Sequence, residues 1–186
     1  MLIPLRLSAQ SDEQLMQHAA RGSNRAFEEL YKRYARRLQG FFARRLGEDA
    51  DLAADFMHDT FLRLYAAREN YREGLNFRAW LYTIAYNLCR NHHRNQFAMV
   101  SDEGVDIIDE GSIEVELDMQ SLHNVLREVL HRLPEPYAIL FSLHYEEELT
   151  VPQIAQISRL PEGTVKSRLH KAMNIIKQQL KRYEDK

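Results

Sequence analysis

The tightest constraint on the fold of this chain lies between residues 149 and 171, where helix start and stop signals follow one another within a few positions. Thr150 is placed to cap a helix, because its hydroxyl can accept from the unpaired amides of a first turn. Gln153, three residues on, can reach back to complete a capping box. Pro152 falls in that first turn, where a missing amide costs little. Ile154, Ala155 and Ile157 supply an inner face. Arg159-Leu160-Pro161 then breaks the helix, since the residue before a proline is pushed away from helical angles, and a second helix starts near Glu162-Gly163-Thr164.

That second helix has two chemically distinct faces. Val165, Leu169, Ala172, Ile176 and Leu180 form an apolar stripe of 3.6-residue period. Lys166, Ser167, His170, Lys171 and Asn174 fall on another face. They carry donors for phosphates and base edges, mostly at the helix N-terminal end, where a helix laid in the major groove touches bases. Two short helices, a tight turn and a basic second helix make DNA binding the expectation.

Charge has to be read locally. The formal net charge is −2, yet residues 1–97 hold 15 Lys and Arg against 11 Asp and Glu. Residues 98–120 hold none against 8, and residues 121–186 hold 10 against 8. Two mildly basic flanks therefore enclose one acidic segment, and local charge decides affinity for nucleic acid. With Ser101, Gly104, Gly111 and Ser112 and few aromatics, residues 98–120 read as a linker. The expected organisation is a domain over 1–97, a linker over 98–120 and a second domain over 121–186.

Elsewhere helical spacing dominates and no strand-like alternation occurs, so the fold expected is all-α, in two helical bodies. Ala26, Phe27, Leu30, Tyr31, Tyr34 and Leu38 make one stripe, in a helix capped by Ser23 or Asn24 and ended by Gly47. A helix from Asp49 to Arg68 turns Ala53, Met57, Phe61 and Leu64 inward. Residues 69–76 form a loop, and Asn76 caps a helix running from Phe77 to about Gln96, with Phe77, Leu81, Ile84 and Leu88 inward. Leu122 to His131 and Tyr137 to His144 are further helices, with a turn at Leu133-Pro134-Glu135-Pro136. The single cysteine, Cys89, fits a reducing compartment, and its place on an inward-facing helix favours a packed thiol over a redox sensor. The N-terminal seven residues are too short and interrupted for a secretory signal or a span, so a cytoplasmic protein is expected.

Two further faces carry chemistry. Trp80, Thr83, Asn87, Arg90, Asn91 and Arg94 share one side of their helix, an indole followed by an amide and cations, which suits unpaired bases. Tyr71 and Arg72 in the loop add groups for stacking and phosphate contact. On the preceding helix, Asp51, Asp55, His58, Asp59 and Leu62 line one stripe. Carboxylates repel DNA, so this stripe is either solvated or matched to a basic protein partner. His92 and His93 are adjacent and read as surface residues.

From these residues two other functions stay open. A self-sufficient dimeric helix-turn-helix regulator accounts for the C-terminal domain but not for Trp80, Asn87 and the acidic stripe. A metal-dependent helical-bundle enzyme would use the Glu-x-x-His pair Glu128/His131 and its analogue Asp55/His58. No phosphate-binding glycine loop is present in the sequence, and no cofactor, metal or small-molecule substrate is expected.

Taken in order, Asp55-Phe56-Met57-His58-Asp59-Thr60-Phe61-Leu62-Arg63-Leu64-Tyr65, Phe77-Arg78-Ala79-Trp80-Leu81-Tyr82-Thr83-Ile84-Ala85-Tyr86-Asn87, Leu133-Pro134-Glu135 and Gly163-Thr164-Val165-Lys166-Ser167-Arg168-Leu169 resemble the extracytoplasmic-function (ECF) sigma factors, two-domain subunits of bacterial RNA polymerase. The resemblance covers about residues 12–97 and 121–183. It implies that the helix bearing Asp51, Asp55, His58, Asp59 and Leu62 docks on core polymerase. It implies that Tyr71, Arg72, Asn76, Trp80, Thr83, Asn87, Arg90 and Arg94 read the minus-ten promoter element, with a flipped base held in the loop. Thr164, Lys166, Ser167, Arg168, His170 and Lys171 would read the minus-thirty-five element. The acidic linker would thread the polymerase RNA channel, and an anti-sigma partner, often membrane-bound, would hold the protein inactive. The chain departs from its relatives at His58, at His170 and at Met173-Asn174.

Overall fold

The computed structural model describes residues 7–47, 49–97 and 119–184, and among them there is no strand. The chain divides into two compact units, Met1–Arg94 and Asn95–Lys186.

The first unit contains α1 (Asp12–Ala20), α2 (Asn24–Arg45), α3 (Ala50–Ala66) and most of α4 (Phe77–Phe97). Local chemistry sets the helix starts. Ser11 and Gln14 form a reciprocal capping box on α1, and the Ala26 amide donates to Ser23 Oγ at the head of α2. The Leu52 amide donates to Asp49 Oδ1 on α3 at 2.9 Å. Each such cap satisfies an amide that the helix cannot pair internally. Gly47, at φ +74°, makes the turn after α2, a conformation that only glycine adopts without strain.

The core of this unit joins all four helices. Leu15 and Met16 of α1, Leu30, Leu38, Phe41 and Phe42 of α2, Leu64 of α3, and Phe77, Leu81 and Tyr82 of α4 are sealed from solvent. Phe41 meets Phe42 at 5.4 Å and Tyr82 at 5.6 Å, both edge to face. The inward face of α4 differs from the expected stripe. Tyr82, Ala85 and Cys89 are buried, whereas Ile84 is only half-buried, because α4 is covered over a face wider than one four-residue row. His92 is not a plain surface residue either. Its ring packs edge-on against Phe56 at 5.4 Å, and burial, followed by the neighbouring His93, lowers its pKa.

An N-terminal 3-10 turn, Leu7–Ala9, is tied down by one guanidinium. Arg33 of α2 donates to the carbonyls of Leu7, Ser8 and Gln10 and to Asp12 Oδ1 at 2.8 Å, with Glu29 on its Nε.

The second unit contains α5 (Met119–Arg132), α6 (Glu135–Phe141), α7 (Val151–Ser158) and α8 (Glu162–Glu184). Helix α5 begins at Met119, so Met119 and Gln120, placed in the linker by charge pattern, are helical. The rest of the expected linker, residues 98–118, lies outside the described residues, as do the side chains of Leu122 and Val125. Helix α6 starts two residues earlier than the sequence suggests, because Pro134 serves as its cap and Pro136 sits in its first turn. One π-helical turn, Ser142–Glu146, continues it. Val129, Leu133, Ala138, Ala172 and Ile176 form the buried centre here, flanked by Leu126, Leu130 and Tyr137.

Helix α7 ends at Ser158, where the expected break begins. Arg159 is left-handed, φ 57° and ψ 34°, and its amide bonds the Ala155 carbonyl. Glu148, ahead of α7, is also left-handed at φ 53°. A side chain in that region costs about 1–2 kcal/mol. Glu148→Gly is therefore expected to stabilise the second unit by about 0.5–1 kcal/mol, after the entropy glycine adds to the unfolded chain. Thermal unfolding checks this, as a rise of a few degrees for that unit.

Candidate nucleic-acid interface

The loop before α4 is closed by its own side chains. A 3-10 turn, Arg68–Asn70, leads into it. Tyr71 is 8 % exposed, and its hydroxyl donates to the Leu75 carbonyl at 2.6 Å. Its ring meets Trp80 at 5.3 Å with a 37° tilt. Burial first, then the carboxylates of Glu13 and Asp12, push the Tyr71 hydroxyl up to about 12. The expected stacking group in the loop is thus a floor beneath Trp80, and Tyr71 does not offer its own face to solvent. Asn76 holds the head of α4, accepting from the Ala79 amide through Oδ1 at 2.8 Å.

Along α4, the candidate residues come to one side. Trp80, Thr83 and Asn87 are half-buried, and Arg72, Asn76, Arg90 and Arg94 are exposed. Thr83 donates its hydroxyl to the Ala79 carbonyl at 2.7 Å, so its outward chemistry is mainly the methyl group. The result is a partly sheltered indole followed by an amide and two exposed cations.

The second candidate surface is the first three turns of α8. Val165, Leu169, Ala172 and Ile176 are buried. Lys166, Ser167, His170 and Lys171 are exposed, with Thr164 and Arg168 half-buried. The helix is thus oriented by its apolar stripe, and the donor face is left outward. Lys171 Nζ lies 5.3 Å from the Tyr137 ring centroid, and the Asn174 amide lies 3.3 Å from His170 Nδ1. Helix α7 is set by the reciprocal Thr150–Gln153 cap, with the Thr150 amide donating to Gln153 Oε1 at 2.8 Å.

On α3 the acidic stripe is less purely acidic than its sequence. Asp51, Asp55, His58 and Leu62 are exposed, but Asp59 is paired with Arg63 at 3.0 Å. His58 Nε2 lies 3.3 Å from the Tyr31 hydroxyl of α2. Beside the stripe runs an apolar groove of about 390 Å³ between α2 and α3, lined by Phe27, Tyr31, His58, Phe61, Leu62 and Tyr65. Leu62 is 69 % exposed and Tyr65 38 %. The groove residues of α2 were not among the candidates, because Phe27 and Tyr31 occupy core-like positions of the helical repeat. Their position at the rim depends on how α3 packs.

Among the described residues no group of three His, Cys, Asp or Glu side chains is arranged to hold a metal ion. Glu128, of the expected Glu-x-x-His pair, is bonded to Arg132 at 2.8 Å. No helix among those residues is long and apolar enough to cross a membrane.

Residues 30–97 match the family Sigma-70 region 2, and residues 123–175 match Sigma-70, region 4. The chain is 28 % identical over 182 residues to RNA polymerase sigma-H factor of Pseudomonas aeruginosa, covering 91 % of this chain and 94 % of that one. It is 31 % identical over 162 residues to RNA polymerase sigma factor CarQ of Myxococcus xanthus, covering 86 % and 91 %. Its fold is like that of sigma factor RpoE of Bartonella quintana, solved with the anti-sigma factor NepR, at a TM-score of 0.64 and 24 % identity, covering 83 % of this chain and 96 % of that one. The two helical units and the full-length relatives together show that the chain belongs to the ECF group of RNA polymerase sigma factors, non-enzymatic subunits that direct transcription initiation.

Proposed function

We propose that the two units of this sigma factor read separate promoter elements. The loop over 71–76 and the outer face of α4 read the minus-ten element, through Arg72, Asn76, Trp80, Thr83, Asn87, Arg90 and Arg94, with Tyr71 as support. The outer face of α8 reads the minus-thirty-five element, through Thr164, Lys166, Ser167, Arg168, His170 and Lys171. The groove between α2 and α3, with Asp51, Asp55, His58, Asp59 and Leu62, docks on core polymerase. The observation that carries this reading is the amphipathic division of α8, whose apolar stripe is buried while Lys166, Ser167, His170 and Lys171 remain outward.

Binding energy alone has to drive opening. Unpairing and flipping a base costs a few kcal/mol, and a stacked base returns about 1–3 kcal/mol. The balance favours opening only when the polymerase adds contacts. The domains are those expected over 1–97 and 121–186, the second extended by Met119 and Gln120 of α5, and the acidic segment between them threads the polymerase. The protein acts in the cytoplasm, where polymerase and promoter are, and an anti-sigma partner, membrane-bound in some systems, restrains it by covering these faces. The Bartonella sigma factor was solved in complex with an anti-sigma factor, which supports a partner of that kind here by analogy.

Footprinting with holoenzyme separates the faces. Asn87→Ala is expected to weaken minus-ten protection and leave core affinity intact. Lys171→Ala is expected to weaken minus-thirty-five binding and reduce the salt slope by about one. An equal loss of core affinity in both variants overturns the assignment. Permanganate reactivity on a promoter with isolated protein should stay at background, and strong opening without core enzyme would contradict the proposal.

A further inference from the structure

We infer that Glu13, on the short first helix, is a positioning residue for minus-ten reading: it sets the first turn of α4, and through it Trp80, by accepting the Phe77 amide. The inference rests on the assignment of the 71–76 loop and α4 as the minus-ten reader.

Helix α1 does not need its own carboxylates as side-chain caps, because Ser11 and Gln14 already cap it. Asp12 and Glu13 are therefore available to other elements. Asp12 accepts from Arg33 at 2.8 Å and from the Tyr34 hydroxyl. Tyr34 in turn sets its ring edge-on against Phe77 at 5.3 Å. Glu13 Oε1 accepts from the Phe77 amide at 3.3 Å. That amide opens α4 and is one of the four that a helix start leaves without an internal partner, and a carboxylate there also complements the helix dipole. Phe77 is thus fixed twice, by its ring through Tyr34 and by its amide through Glu13.

Next to it, Tyr71 feels the charges of both acids, closes the loop onto Leu75 and carries Trp80 on its ring. Glu13 and Asp12 are half-buried and are not on the outer face of α4 as assigned above. Two carboxylates behind a surface that takes a polyanion work against binding by simple charge. Positioning gives them a role that charge alone would oppose.

The test is binding of a minus-ten single-stranded oligonucleotide, and open-complex formation, by reconstituted holoenzyme. Glu13→Ala is expected to lower both about tenfold, with core affinity unchanged and the melting temperature within about two degrees of wild type. Glu13→Gln keeps an accepting oxygen and should restore most of the loss. Glu13→Lys adds a cation, so a charge effect would tighten DNA binding, whereas loss of positioning weakens it. Wild-type or tighter binding by Glu13→Lys overturns the inference. So does a Glu13→Gln variant as poor as Glu13→Ala, or a Glu13→Ala variant that loses core affinity and folding alongside promoter binding. Trp80→Ala serves as the control for the underlying assignment. If it binds the oligonucleotide like wild type, the minus-ten reading falls and this inference with it. If it binds poorly while the Glu13 variants bind normally, only the inference falls.

Discussion

Leu62→Asp is expected to weaken the complex with core polymerase at least a hundredfold while the protein melts within about a degree of wild type. Leu62 is 69 % exposed, so replacing it removes little packing, and surface substitutions away from caps and buried networks usually fall within about 0.5 kcal/mol. In the proposed complex the same side chain, which lines the groove with Phe27, Tyr31, Phe61 and Tyr65, is covered by core polymerase. Covering an exposed leucine side chain fully is worth about 1.5–3 kcal/mol. A carboxylate at that position would be taken from water into an apolar groove, which adds a penalty on the order of several kcal/mol. A hundredfold loss corresponds to about 2.8 kcal/mol, well inside the combined cost. Anisotropy titration of labelled protein with core enzyme measures it. A change under threefold would show that the groove is not the docking surface.

Phe41→Ala should instead act on folding, and on one unit only. Phe41 is fully buried and makes edge-to-face contacts with Phe42 and Tyr82. Removing such a ring costs about 3–5 kcal/mol, and a unit of this size has about 5–10 kcal/mol to lose. Calorimetry should show the transition of the first unit falling by more than 10 °C, with the transition of the second unchanged. A parallel fall of both would mean that the units unfold as one.

Features set by neighbours a few residues apart were legible in the sequence. Thr150 with Gln153, and Asn76, act within one turn of chain, so their capping roles follow from spacing, whereas spacing left Ser23 and Asn24 both open as the cap of α2 and the structure chooses Ser23. The stripe of α8 was legible for the same reason: Val165, Leu169, Ala172 and Ile176 repeat at the helical period and all face inward. Features made by packing between distant segments were not. The groove exists only because Phe27 and Tyr31 of α2 meet Phe61 and Tyr65 of α3, as the ring contacts of Phe27 with Phe61 and Tyr65 attest. Glu13 and Phe77 are 64 positions apart, and nothing local marks either as the partner of the other. Tyr71 was misjudged because a tyrosine in a polar loop looks available, while its burial depends on Trp80 and on α1. The break at Arg159-Leu160-Pro161 was legible, but the left-handed turn at Arg159 was not, because Pro161 restricts only the residue directly before it.

The seclusion of Cys89 gives the protein a built-in clock. Sealed in the first unit and without a second thiol anywhere in the chain, it can meet a maleimide only when that unit opens. The alkylation rate then counts opening events, and it does so for the first unit alone. The same seclusion means that an oxidant finds no exposed thiol while the first unit stays folded.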